Sequence, residues 1–442
     1  MLSRRRFLSL GPIAAGLCVG PALAARPATN DGEDVLAGQA TQAGAPPSIA
    51  ALTSMKDRAR PITNDERRAR IEKARRLMAD QGVAALMLTG GTSLVYFSNI
   101  RWGLSERPFA MILPARGEPF YVSPAFEADR AQEQIDLGPL GGGKTDVRLW
   151  REDESPYERI AQGLKDRGLS AGRVGIEETV RFVFSDGVAK AAPALTLVSG
   201  TPITAGCRGV KDPHEIELMR LAAAVTLRAY AAAFAALKDG MTQSEFAGLV
   251  SAAHSRLGFT GGAGVQVGTY SASPHGSIAP QRIREGSILL IDGGCTVEGY
   301  SSDLSRTFVL GKATGKMKQV FDIVHRAQEA AVHTARPGVA CEAVDAAARK
   351  VIVEAGYGPD YQYFSHRVGH GLGMDGHEWP YLVRGNKLPL QPGMTFSDEP
   401  GIYIRGEFGV RLEDDMLITA SGAELLTPQS PSIEQPFGNV GE

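Results

Sequence analysis

The spacing of apolar positions divides the chain into two stretches with different rhythms. In the first, Thr63-Asn64-Asp65-Glu66 reads as a capping box, because the Thr hydroxyl can accept the amide three residues on while the Glu carboxylate reaches back. Ile71, Ala74, Leu77 and Met78 follow at helical spacing, so a helix to about Gln81 is predicted. Short apolar runs bounded by Gly, Pro and charge predict strands over 83–89, 109–113, 119–122 and 174–176, with helices near 125–134 and 155–167. This alternation predicts an α/β domain over residues 61–203.

The second stretch opens with Pro213, which fits the first turn of a helix. Ile216, Met219, Ala223 and Leu227 share one face of a run to about Leu237. Thr242 and Glu245 cap another helix, and apolar runs over 263–268, 287–292 and 307–310 come after it. Helices are then predicted over 317–335 and 342–356, and extended segments over 394–403 and 409–419. Two rounds of helices followed by strands predict an internally duplicated α+β domain over residues 204–442.

The N-terminal residues fit neither rhythm. Arg4-Arg5 with Phe7-Leu8 precedes a short apolar run, 10–23, that ends in Ala22-Leu23-Ala24 and is broken by Gly11, Pro12, Gly16, Gly20 and Pro21. This is the layout of a cleavable export signal of the twin-arginine type over residues 1–25, and it implies a periplasmic or secreted protein that folds before it is moved. Leu17 before Cys18 lacks the small residue that lipid attachment needs. Residues 26–60 mix Ala, Gly, Pro, Thr, Gln and Asp without a period and read as a flexible linker.

Composition removes some function classes. The 47 basic and 49 acidic residues nearly cancel, so the broad positive field of a general nucleic-acid binder is missing. No apolar run of the length a membrane span needs follows the leader, so no membrane association is expected after its cleavage. Cys207, Cys295 and Cys341 are widely spaced and suggest core thiols. Gly138-Pro139-Leu140-Gly141-Gly142-Gly143-Lys144-Thr145 satisfies a phosphate-loop pattern, but a polar helical stretch precedes it and an extended Val147-Arg148-Leu149-Trp150 follows, the wrong setting for nucleotide binding. His214, His254, His325 and His333 fall on predicted helices, where solvated or capping roles suffice.

The chemistry gathers in the last 170 residues. Asp292 ends the apolar run Leu289-Leu290-Ile291 and precedes Gly293-Gly294, where backbone can approach closely. Asp303 lies past a turn, so a hairpin would put both carboxylates on one face. His366, His370 and His377 are three of only 8 histidines, and the glycines around His370 read as room for a bound group. Glu399 and Glu413 sit on apolar β-like segments, where an unpaired carboxylate is costly to bury. Two Asp, two Glu and one His form an oxygen-rich set suited to a pair of divalent ions, and such sites accept Mn, Co, Zn or Fe.

In order and local setting, Asp292, Asp303, His370, Glu399 and Glu413 resemble the ligands of the pita-bread metallopeptidases: methionine aminopeptidase, aminopeptidase P and prolidase, with metal-free creatinase a relative. The resemblance covers about residues 61–425 and implies a creatinase-like N-terminal domain and a pita-bread catalytic domain with pseudo-twofold duplication. It implies that Asp292 chelates one metal, that Asp303 and Glu413 bridge, and that His370 and Glu399 complete the other, with a hydroxide shared by the metals as nucleophile and Glu399 as proton shuttle. His275 and His377 match the histidines beside the substrate, and Arg411 matches the supporting arginine; His366 has the weaker case. Segments such as His377-Glu378-Trp379-Pro380 and Asp398-Glu399-Pro400-Gly401 resemble the proline-directed members, which implies an Xaa-Pro aminopeptidase or dipeptidase acting on proline-containing peptides. Dimers are common among the look-alikes, so a homodimer is among the expectations. Two further readings stand beside this one: a metal-dependent C–N hydrolase of a small metabolite, and a catalytically silent binding protein, against which the intact ligand set argues.

Overall fold

The computed structural model describes residues 44–141, 145–438 and 440. The leader over 1–25, the first part of the expected linker and the centre of the phosphate-loop-like run lie outside them. Strands are numbered in chain order. In the first domain they are β1 (Ala85–Thr89), β2 (Ala110–Pro114), β3 (Phe120–Pro124), β4 (Asp146–Trp150), β5 (Gly172–Ile176) and β6 (Leu195–Ser199). They form one sheet in the order β4-β3-β2-β1-β5-β6, in which only β2 runs antiparallel to its neighbours. Helices cover both faces, which is why every residue of β1, β2 and β3 is buried and their sequences are apolar without alternation.

The capping box at Thr63 forms as predicted, with the Glu66 amide 3.2 Å from Thr63 Oγ1 and the Thr63 amide 2.6 Å from Glu66 Oε2. Helices Thr92–Ser98, Phe182–Ala191 and Thr201–Arg208, and strand β6, carry no clear period and were not anticipated. The phosphate-loop-like run leads into strand β4 and not into a helix, so its context fails as expected.

One expectation needs correction. Residues 44–60 are folded and not a spacer: Pro47–Ala50 is a helical turn, Lys56–Arg58 a 3-10 turn, and Ile49, Met55 and Ile62 are buried against helices Pro213–Phe234 and Gln243–Leu257. A few apolar anchors in a polar, proline-containing stretch were enough, because a groove between two long helices was there to receive them.

The second domain repeats one plan. Helices Pro213–Phe234 and Gln243–Leu257 pack on β7 (Gly261–Val267), β8 (Ile288–Val297), β9 (Tyr300–Ser301) and β10 (Leu304–Val309), ordered β10-β8-β7 with β9 folded back on β8. Helices Gly315–Thr334 and Cys341–Glu354 pack together and are followed by β11 (Gly369–Gly371), β12 (Glu378–Leu382), β13 (Thr395–Asp398), β14 (Gly401–Ile404), β15 (Phe408–Arg411), β16 (Asp414–Ile418) and β17 (Ala423–Leu425). β12-β11-β13-β16-β17 form one sheet and β14-β15 a hairpin. The two halves meet where Arg306 of β10, wholly buried, donates to Asp414 Oδ1 of β16 at 2.6 Å and to the Glu413 carbonyl at 2.7 Å.

Removing one partner of such a pair leaves an uncompensated buried charge. Arg306→Ala should therefore destabilise the protein by roughly 3–5 kcal/mol, read as a lowered urea midpoint, while Arg220→Ala, whose partner Glu424 is solvent-exposed, should cost less than about 1 kcal/mol.

Candidate metal centre

Five strands or strand ends deliver the expected ligands to one place. Asp292 lies in the middle of β8, not at its end, because the strand continues through Gly293-Gly294 to Val297. A Cβ at Gly294 would collide with the Ser302 carbonyl, so the glycine lets the chain fold back on itself through β9. That return sets β10 antiparallel to β8 with Ser305 opposite Asp292, and Asp303, two residues earlier, on the same side, as the hairpin reading required. Glu399 occupies the turn between β13 and β14, and Glu413 the link between β15 and β16.

The glycines beside His370 have a different role from the one expected of them. His370 is itself in a strand, β11, squeezed between β12 and β13. A Cβ at Gly369 would strike the Ser397 carbonyl and one at Gly371 the Glu378 carbonyl. They make room for neighbouring backbone, not for a ligand.

His275, Asp292, Asp303, His366, His370, His377, Glu399, Arg411 and Glu413 all line one cavity of about 420 Å³. Tyr361, Ser365, Arg367 and Val383, which sequence reading passed over, complete it, and every lining residue comes from the second domain. Ligand atoms of Asp292, Asp303 and Glu413 lie within 4.8 Å of one another, as do those of His370, Glu399 and Glu413.

Hydrogen bonds fix the ionisation pattern. His370 Nδ1 is 3.1 Å from the Gly371 carbonyl, which can only accept, so Nδ1 carries the proton and Nε2 presents a lone pair. That lone pair faces Glu399 Oε1 at 3.3 Å and Asp303 Oδ2 at 3.9 Å. Burial, with His377 and Arg367 nearby, lowers the His370 pKa to about 3, so the ring stays neutral. A neutral imidazole lone pair thus faces carboxyl oxygens, an arrangement that either a proton on the carboxyl group or a divalent cation satisfies. The donor set fits two such ions: Asp292, Asp303 and Glu413 would hold one, and His370 and Glu399 with the shared Asp303 and Glu413 the other.

Without metal the cluster resists ionisation. Burial and the charges of Asp292 and Glu399 raise the Asp303 pKa well above the ordinary carboxylate range. Burial and Asp303, Glu399 and Asp292 do the same to Glu413. Glu399 rises to about 7, chiefly through burial, which Arg411 partly offsets.

Arg411 is the one buried cation among these groups. It pairs with Asp292 Oδ2 at 2.7 Å, donates to Ser305 Oγ at 2.9 Å and holds the Pro274 carbonyl at 2.9 Å, which anchors the loop that carries His275. Ser305 Oγ in turn lies 2.9 Å from Asp292 Oδ1 and 2.6 Å from Glu413 Oε2. Only the register of β8 and β10 brings Ser305 here, so no sequence signal marks it. His366 has both nitrogens engaged: Nδ1 donates to the Arg367 carbonyl at 2.8 Å and Nε2 accepts from Tyr403 at 2.7 Å. It supports Tyr403, which also accepts from Arg411 at 3.1 Å. His254, read as solvated or capping, is instead fully buried, with Nδ1 on the Val250 carbonyl at 2.9 Å.

Comparison with known proteins agrees with this geometry. Residues 217–420 match Metallopeptidase family M24, and residues 70–210 match the Creatinase/Prolidase N-terminal domain. A relative named probable dipeptidase PepE, from Mycobacterium bovis, is 36% identical over 360 residues, 80% of this chain and 92% of its own. The chain belongs to metallopeptidase family M24. An Xaa-Pro dipeptidase of Lactobacillus helveticus is 30% identical over 81% of this chain and 96% of its own length. The crystal structure of dipeptidase PepE from Mycobacterium ulcerans superposes with a TM-score of 0.79 at 32% identity, covering 85% of this chain and 99% of that one. The metallopeptidase therefore has a creatinase-type N-terminal domain and a pita-bread catalytic domain, and its family implies divalent metals.

The raised carboxyl pKa values give the metal-free protein a definite pH response. Glu399 titrates near 7 when folded and near 4.5 when unfolded, so the folded state holds more protons between those values and stability falls as pH rises through the window. Urea unfolding of chelator-treated protein at pH 5 and pH 8 should show the lower midpoint at pH 8, and added Mn or Co should reverse the order.

Proposed function

We propose that this metallopeptidase hydrolyses short peptides next to proline, as an Xaa-Pro dipeptidase or Xaa-Pro aminopeptidase, using two divalent ions drawn from Mn, Co, Zn or Fe. The observation that carries the reading is that all eight expected site residues line one cavity of about 420 Å³. That volume lies toward the small end of the roughly 300–1,000 Å³ typical of ligand pockets, which suits a di- or tripeptide. Kinship to proteins named Xaa-Pro dipeptidase supports the proline preference.

Bound metals supply an activated water and polarise the scissile carbonyl. The protein's own residues do the rest. Glu399 takes a proton from the attacking water and returns it to the leaving nitrogen, a role its place in the cavity beside His370 allows. Arg367 Nη2 lies 3.3 Å from His377 Nδ1; a guanidinium can only donate, so His377 keeps its proton on Nε2 and offers that N–H to the tetrahedral oxygen. His275, on the loop that Arg411 anchors, orients the substrate end. Arg411 and Ser305 hold the Asp292 carboxylate in place, and Ser305 holds Glu413.

The test is hydrolysis of Xaa-Pro dipeptides, Xaa-Pro tripeptides and proline-free controls by mature protein stripped of metal and reloaded with Mn or Co. Metal-dependent cleavage confined to proline peptides, lowered by at least about a hundredfold in Glu399→Ala, is the expected result. Cleavage of controls at equal rates would replace the proline reading with a general dipeptidase. No cleavage with two metals bound would favour a metabolite C–N hydrolase.

We also infer export to the periplasm or beyond, on the strength of Arg4-Arg5-Arg6-Phe7-Leu8 and the short apolar run after it. Replacing Arg4 and Arg5 with Lys should retain the protein in the cytoplasmic fraction, and unchanged export would dismiss the twin-arginine route.

A further inference from the structure

His377 sits on an exposed loop, yet its ring stacks on His370 at 3.6 Å and 18°, a placement that needs a rigid support. The segment 371–378 is gripped from several sides. Glu378, the next residue, is buried and receives Arg208 Nη2 and Lys211 Nζ on its two oxygens, each at 2.5 Å. Asp375 receives the same Arg208 nitrogen at 2.5 Å and the Thr92 hydroxyl at 2.5 Å. Met374 packs against the first domain's core, and the Ser301 amide donates to the Gly373 carbonyl at 2.8 Å. A Cβ at Gly373 would come within 2.5 Å of Glu378 Oε1 and 2.9 Å of Lys211 Cε, so the glycine lets this packing close.

Thr92 belongs to the first domain; the N-terminal match over residues 70–210 carries that domain past the expected boundary at 203, so Arg208 ends its last helix, and Lys211 lies in the connector that leads into Pro213. Among the described residues none of the first domain lines the cavity, and this grip links that domain to the segment that carries His377. Two cations meet two carboxylates, so the cluster is neutral and needs no further ligand. It is therefore a clamp and not a binding site.

We propose that Arg208, Lys211, Asp375 and Glu378 form an interdomain clamp of positioning residues that fixes the His377 imidazole for transition-state hydrogen bonding. The clamp rests on the metallopeptidase reading in which His377 donates to the intermediate, and it adds a duty for the first domain: it sets turnover through one loop without touching metal or substrate. Preorganised donors lose catalytic value when displaced, and a misplacement of about 1 Å can cost on the order of a hundredfold.

The experiment is a double-mutant cycle on the metal-loaded enzyme, with the peptide that the wild type hydrolyses fastest. Glu378→Gln keeps the side chain's shape and removes its charge; Asp375→Asn, at a half-exposed position, is the milder second variant. Each should lower kcat by about tenfold to a hundredfold with KM nearly unchanged and two metals still bound. In a His377→Ala background each should cost less than about twofold, because the group through which the clamp acts is gone. Equal losses in both backgrounds would mean a structural role and overturn the proposal, as would full activity in His377→Ala. Amide hydrogen exchange over 371–378 gives a readout free of substrate: Glu378→Gln should speed it by more than about tenfold, and unchanged protection overturns the clamp. If the wild type cleaves no peptide, the function proposed above fails, and the exchange measurement still decides the clamp.

Discussion

Carboxylates that face one another across a neutral imidazole are the constraint around which the catalytic domain is arranged. The His370 Nε2 lone pair points among the oxygens of Glu399 and Asp303, and Glu413 and Asp292 close the ring from the other side. Such a cluster is unfavourable in a bare protein, since burial and mutual repulsion both penalise charge. Proton uptake relieves that penalty in the metal-free chain, and the divalent cations that the family implies would relieve it when bound, so the chain's task is to hold the candidate ligands at the right spacing.

That task explains why the candidate ligands sit on strands or in the short links between them. The first half of the duplicated domain contributes Asp292 and Asp303 and the second contributes His370, Glu399 and Glu413, so the centre is complete only when both halves are locked together. The lock is polar. Arg306 ties β10 to Asp414 and to the backbone of Glu413, Gln328 reaches Asp414 Oδ2 at 3.0 Å, and Ser305 bridges Asp292 to Glu413. An apolar seam would stabilise as well, but hydrogen bonds from fixed donors set direction, and direction is what a metal ligand requires.

Much of this was legible in the sequence, for identifiable reasons. Capping boxes at Thr63 and Thr242 and the proline at the start of helix Pro213–Phe234 carry their signal locally, so these helices begin where expected. The five candidate ligands stood out as a set: any one Asp alone would pass for a turn or strand-end residue, but two Asp, two Glu and a His in this order resemble a known ligand set. What escaped depends on tertiary register. Ser305 reaches the site because it lies opposite Asp292, and the glycines beside His370 are explained only by the carbonyls of strands far along the chain. The folded stretch 44–60 escaped for the same reason: its few apolar residues acquire meaning only once the groove between two distant helices exists.

A division of labour follows from where each group is mounted. The ligands are built into paired strands or the short links between them, whose geometry is held on both sides by backbone hydrogen bonds. The two cavity-lining histidines proposed to face substrate are on loops: His275 on a turn that Arg411 holds through the Pro274 carbonyl, His377 on a segment tethered by ion pairs to Arg208 and Lys211. The two loops are not independent of the candidate centre, because Arg411 also pairs with Asp292 and the His377 ring stacks on His370. On the proposed reading, a change in the first domain that shifts His377 alters rate first, while the carboxylates, held by strand pairing and by Ser305, keep their places.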